Sequence, residues 1–128
     1  MTGVHRQTVF RAGFYACAAG IAVLAFYPLD GQPVTGSDKL NHLIAFAVLA
    51  GLADGAYPNR RRDPMRWAPL VAYGLFIEVV QAFLPYRHFS LADLAADALG
   101  VLLYAGAARL VCVSFAAARR DRRDIPPR

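Results

Sequence analysis

Leu75-Phe76-Ile77-Glu78-Val79-Val80-Gln81-Ala82-Phe83-Leu84-Pro85 is the stretch on which the reading of this chain turns. It closes an apolar segment, Trp67 to Pro85, that is long enough to cross a bilayer. Glu78 and Gln81 lie three residues apart, so they share one face of a helix. A carboxylate at the centre of a membrane helix costs about 3 kcal/mol even on the mildest insertion scales. A chain carries that cost only where the group faces protein or water and has partners. The rest of the sequence can be searched for them.

The bulk composition agrees with a membrane setting. Of 128 residues, 57% are hydrophobic and only 18% charged. The mean hydropathy is +0.35. Soluble domains carry about 25% charged residues. The length fits one domain. A net charge of +5 could serve nucleic acid, but the basic residues cluster between apolar segments and at the tail, so no nucleic-acid partner is expected. Cys17 and Cys112 both fall in apolar segments, without metal-like spacing, and read as small apolar residues.

Taken in order, residues 1–11 form a short basic N-terminal tail. Ala12 to Leu29 is a first apolar segment without a charge, long for a signal h-region, and Phe26-Tyr27-Pro28 at its end offers no small-x-small cleavage site. Asp30 to Asp38 reads as a loop. Leu40 to Tyr57 is a second segment, holding Gly51 and Gly55 at a spacing that permits close helix contact. Asn59 to Arg66 is a basic loop. Trp67 to Pro85 is the third segment and Leu91 to about Ala116 the fourth. Ser90 is placed to N-cap the fourth, with Asp93 at its third position. Residues 117–128 read as a basic tail without fixed structure. The expected fold is all-α: a four-helix transmembrane bundle over residues 12–116.

Orientation follows from the cations. Arg6, Arg11, Arg60, Arg61, Arg62, Arg66, Arg119, Arg120, Arg122, Arg123 and Arg128 fall on one side; Lys39 and Arg87 fall on the other. Both termini are therefore expected in the cytoplasm of a bacterial cell, with the chain multi-pass in its inner membrane. At about 1.5 Å per residue, His42, Gln81 and Asp93 then lie about one turn below the outer surface, and Glu78 and Asp97 about two. Polar groups from three helices meet at matching depths. Arg87, and after it Lys39, are the expected rim cations. Asp54 and Arg109 fall near the inner ends of their helices and could pair.

Three patterns sit on these helices in order: Asp38-Lys39-Leu40-Asn41-His42, then Ile77-Glu78-Val79-Val80-Gln81, then Arg87, Ser90, Asp93 and Gly100. Together they resemble the VanZ-like family of membrane proteins from roughly Asp38 to Gly100. Asp97 stands where that family usually has Asn, which makes this pocket more acidic. The resemblance implies a link to the cell envelope, because the family's named member is associated with low-level resistance to the glycopeptide antibiotic teicoplanin. It marks Asp38, Lys39, His42, Glu78, Gln81, Arg87 and Asp93.

The expected site has Glu78, His42 and Asp93 as candidate acid–base groups and Asp38, Lys39, Gln81, Arg87 and Asp97 as binding residues, converging on one outward-facing cavity with Glu78 at its centre. The same residues would serve a scaffold whose polar groups only fix helix pairing, so whether the chain is an enzyme stays open at this point. His42, Glu78, Asp93 and Asp97 could together hold a divalent cation, but no local motif such as H-E-x-x-H is present, so no metal or cofactor is expected. The expected partners are the bilayer and a lipid-linked envelope precursor or head group.

Overall fold

The computed structural model describes residues 3–28, 37–61 and 63–123, with side chains described up to residue 119. Among the described residues four α-helices carry the fold: α1 (Gly3–Phe26), α2 (Asp38–Ala56), α3 (Ala68–Gln81) and α4 (Leu91–Arg123). Two short 3-10 turns, Pro58–Arg60 and Pro64–Trp67, join α2 to α3. Among the described residues there is no strand. The all-α expectation is met. The expected loop from Asp30 to Asp38 lies largely outside the described residues.

The helix bounds differ from those expected for local reasons. α1 starts at Gly3 rather than Ala12, since nothing between them breaks a helix, and Thr8 folds its hydroxyl back onto the Val4 carbonyl at 3.0 Å. α3 stops at Gln81, four residues before Pro85, and the chain turns through residues 82–86. Proline disfavours helical geometry at the residue before it and offers no N–H. α4 runs past Ala116 to Arg123 because the alanine run and the arginines after it are good helix formers. The expectation of an unstructured tail therefore fails up to Arg123, and residues 124–128 lie outside the described part.

α2 is the central element. It packs most extensively on α4 and next on α1, while α3 packs mainly on α4. The core is small: Phe46, Leu49, Ala50, Leu70, Ile77 and Val101. α1 buries no residue completely. Leu102, Leu110, Phe76 and Phe83 all face outward. Such a surface suits an apolar solvent better than water.

α1 and the Leu91–Arg119 part of α4 are long and apolar enough to cross a membrane. α2 carries Asp38, Lys39 and Asp54, and α3 has 14 residues, so neither reaches that standard of length and apolarity. α3 covers about 21 Å of a hydrocarbon core of about 30 Å. Both cysteines are free thiols.

The glycines show how the helices approach. A Cβ on Gly100 would collide with the Leu43 carbonyl and come within 3.1 Å of the Ala47 nitrogen, so α2 and α4 touch backbone to backbone there. Gly51 and Gly55, singled out for their spacing, instead make room for side chains: the Tyr104 ring from α4 and the Phe10 ring from α1.

Candidate functional site

Three helix ends meet at one end of the bundle: the starts of α2 and α4 and the finish of α3. The start of a helix presents unpaired N–H groups and partial positive charge, which favours acids in the first turn. Asp38 and Asp93 occupy those positions. Ser90 caps α4 as expected, its Oγ accepting from the Asp93 N–H at 3.2 Å. The return half of the capping box does not come from Asp93. The Ser90 N–H donates to Oε2 of Glu78, at 2.8 Å, across from α3. Glu78 thus ties the end of α3 to the start of α4 and leaves the Asp93 carboxylate available for other partners.

One turn along α4, Oδ1 of Asp97 lies 2.9 Å from Nδ1 of His42 on α2. Asp97 has no exposed surface. A carboxylate on Nδ1 fixes the ring and directs Nε2 away from it. The other oxygen, Oδ2, faces Gly74 of α3, where a Cβ would come within 2.6 Å. Lys39 Nζ stands 3.7 Å from Oδ1 of Asp93, outside hydrogen-bond distance. Glu78 is within electrostatic reach of His42, Asp93 and Asp97. Among the described residues, three buried oxygens of this cluster accept no hydrogen bond: Oε1 of Glu78, Oδ1 of Asp93 and Oδ2 of Asp97. Asp38, His42 and Asp93 each offer a ligand atom, all within 4.8 Å of one another.

The site expected from sequence is therefore brought together in part. Asp38, Lys39, His42, Asp93 and Asp97 converge, with Glu78 beside them. Gln81 and Arg87 go elsewhere. Nε2 of Gln81 donates to the Ala25 carbonyl at 3.2 Å, Arg87 Nη2 reaches the Leu24 carbonyl at 3.5 Å, and the Tyr86 hydroxyl donates to Phe26 at 2.6 Å. These are carbonyls of the last turn of α1, which have no partner within their own helix. The residues act as its C-cap, with a cation placed where the dipole favours one. Lys39 rather than Arg87 is the cation beside the carboxylates. Ligand atoms of Asp38, His42 and Asp93 lie within 4.8 Å of one another, while Glu78, expected at the centre, bonds the Ser90 N–H beside them.

The opposite end is basic. Asp54 meets Arg61 Nη2 at 3.2 Å and Arg66 Nη1 at 3.3 Å, and accepts from the Tyr104 hydroxyl at 3.3 Å. Asp54 stands apart from Glu78, as expected, but its partners are the loop arginines and not Arg109. A cavity of about 330 Å³ opens there between Phe14, Tyr57, Trp67 and Leu70. No sequence signal pointed to it, because it is made by ring packing between α1, α2 and α3.

Residues 7–112 match the VanZ/LLP1 family. No curated protein and no solved structure gives a significant match. The family match extends beyond the 38–100 motif region into α1 and well along α4. With two helices apolar enough to span a membrane, it points to a membrane protein. By its match over most of its length, the chain belongs to the VanZ/LLP1 family.

Proposed function

We propose that the chain crosses the bacterial inner membrane four times, with both termini in the cytoplasm, and that its acidic end forms an outward-facing site that binds or acts on a cell-envelope molecule. The observation that carries this reading is the set of buried carboxylate oxygens, without hydrogen bonds among the described residues, gathered around His42. Ionisable groups in an apolar bundle are functional by default. Family membership supports the envelope setting, and the link to glycopeptide resistance, teicoplanin included, rests on that membership alone. A second reading, an enzyme acting on a lipid head group, is favoured by the His42–Asp97 pair, an arrangement that orients an imidazole for proton transfer. The Glu78–Ser90 cap favours a third, a scaffold without catalysis.

Glu78→Gln separates them. The amide keeps an oxygen for the Ser90 N–H but loses the charge, so the variant should fold. Cells lacking the protein, complemented with wild type or Glu78→Gln, are compared by lipid and metabolite analysis. The expected result is that Glu78→Gln behaves like the deletion. If it restores every difference, the cluster is architecture, and both the binding and the enzyme readings fall.

The topology has its own test. Reporter fusions or cysteine accessibility at Gln32, Asn59 and the C-terminal tail should place Gln32 outside and the other two inside. The basis is the excess of arginine around the α2–α3 loop and the end of α4. Asn59 on the outer face would reverse the orientation and put the acidic cluster at the cytoplasmic side.

A further inference from the structure

We propose that Asp38, His42 and Asp93 form a binding site for one divalent transition-metal cation of the zinc class. This deepens the reading of the outward site and rests on it. It also replaces the expectation, drawn from the missing sequence motif, that no metal binds. The motif is missing because the three residues come from two helices: Asp38 and His42 from adjacent turns of α2, and Asp93 from the first turn of α4.

Four observations bear on it. First, the three residues each bring a ligand atom within 4.8 Å of the others, close enough to share one ion. Second, His42 already has its Nδ1 on the Asp97 carboxylate, so Nε2 is the nitrogen left to bind. A histidine ligand held by a carboxylate on its other nitrogen is the usual support of a metal site. Third, Asp93 is 8% exposed and its Oδ1 accepts no hydrogen bond. A buried anionic oxygen without a donor is costly, and a cation removes the cost. Fourth, the nearest positive group, Lys39, is 3.7 Å from that oxygen on a side chain 62% exposed, so it can swing away without breaking a hydrogen bond. Glu78, fully buried with no hydrogen bond to Oε1, sets a further carboxyl within electrostatic reach of His42 and Asp93.

One imidazole and two carboxylates suit zinc, and also cobalt as its spectroscopic substitute, better than they suit calcium or magnesium, which prefer oxygen alone. Asp38 and Asp93 beside one Lys39 favour a cation over an anion here. With a divalent ion in place, the same site can receive a phosphate or carboxylate of an envelope molecule. The protein's own part is to hold the imidazole through Asp97 and to keep the ion at the mouth of the cluster, where Asp38 is exposed.

The test uses the full chain, purified in detergent and stripped with a chelator, then titrated with cobalt(II). Visible absorption reports coordination and zinc(II) is added in competition. Wild type should take up about one equivalent, displaced by zinc. His42→Ala and Asp93→Asn should each weaken binding more than about tenfold, and Asp97→Ala by about 10- to 100-fold through loss of the ring's support. Asp54→Asn, which removes an acid at the opposite end, should bind as wild type does. Circular dichroism on each variant shows whether it is folded. Asp93→Asn keeps the shape of its parent should His42→Ala unfold. Folded wild type without saturable uptake, or folded His42→Ala and Asp93→Asn that bind unchanged, would overturn the proposal. So would equal weakening by Asp54→Asn. If no metal binds and Glu78→Gln still loses its effect in cells, the metal site falls and the outward site stands. If metal binds and Glu78→Gln is silent, the reverse holds.

Discussion

Gly100→Ala should destabilise the bundle by about 3 kcal/mol or more, the upper part of the range for overpacking. The added methyl would occupy the space now held by the Leu43 carbonyl, and would press on the Ala47 nitrogen at 3.1 Å. Both neighbours are backbone atoms of α2, so no rotamer change can make room. The helices must move apart, and α2 against α4 is the most extensive contact in the fold. The same movement would lengthen the His42–Asp97 bond, which lies less than one turn away along α4. Gly106→Ala is the matched control on the same helix. Nothing lies within 4 Å of the position a methyl would take there. That variant should gain up to about 1 kcal/mol from better helix propensity. Thermal unfolding of the three proteins in one detergent, followed by circular dichroism, compares them directly. Equal midpoints for Gly100→Ala and wild type would show that the α2–α4 contact is looser than described.

The sequence made the helices and one end of the site legible, and for identifiable reasons. Long apolar runs broken by Pro28, Pro58 and Pro85 mark helices whatever surrounds them. Counting 1.5 Å per residue from the ends of α2 and α4 put His42 and Asp93 about one turn down and Asp97 about two; the structure joins His42 to Asp97 across that difference, at 2.9 Å. Depth alone does not fix which way a side chain points. Gln81 and Arg87 were placed in the pocket because they lie at the right level. They turn to Leu24 and Ala25 because α1 ends beside them with unpaired carbonyls. From Ala12 to Phe26 α1 carries no charge, and the helix as a whole favours no apolar face, so nothing in the chain announced where it would dock.

The same limit explains Asp54. Matching depth made Arg109 a reasonable partner, but Arg61 and Arg66 in the adjoining loop reach the carboxylate first. Glu78 shows a subtler case. Its burial and its neighbours were expected. Its bond to the Ser90 N–H was not, because the third-position Asp93 was the natural candidate for that role. The exchange has a physical consequence. A carboxylate from α3 satisfies the start of α4, and the acid that would have done so locally is left facing Lys39 and His42. Local capping rules and the tertiary site are therefore coupled through one hydrogen bond.

Gly74→Ala should disrupt the site from the far side, without altering any group that has chemistry. The new methyl would lie 2.6 Å from Oδ2 of Asp97 and 3.3 Å from its Cβ and Cγ. Aspartate has only two side-chain torsions, and Oδ1 is already held by His42. To clear the methyl the carboxylate must rotate, and that rotation breaks the His42 bond, or else α3 must move away from α4. Either route should cost about 1–3 kcal/mol. The clash and the broken bond belong to the same pair of residues, so most of the effect should disappear when Asp97 is shortened. In an Asp97→Ala background Gly74→Ala meets no carboxylate; only the Cβ at 3.3 Å remains, and the better helix propensity of alanine offsets that residual contact, so the change should be near neutral, within about 1 kcal/mol. Denaturant or thermal unfolding of wild type, both single variants and the double variant completes the cycle. A coupling of at least about 1 kcal/mol is expected, since residues in contact depart from additivity by that order. If the two changes add to within about 0.5 kcal/mol, Asp97 does not point at α3, and the buried cluster must be drawn without Gly74 as its floor.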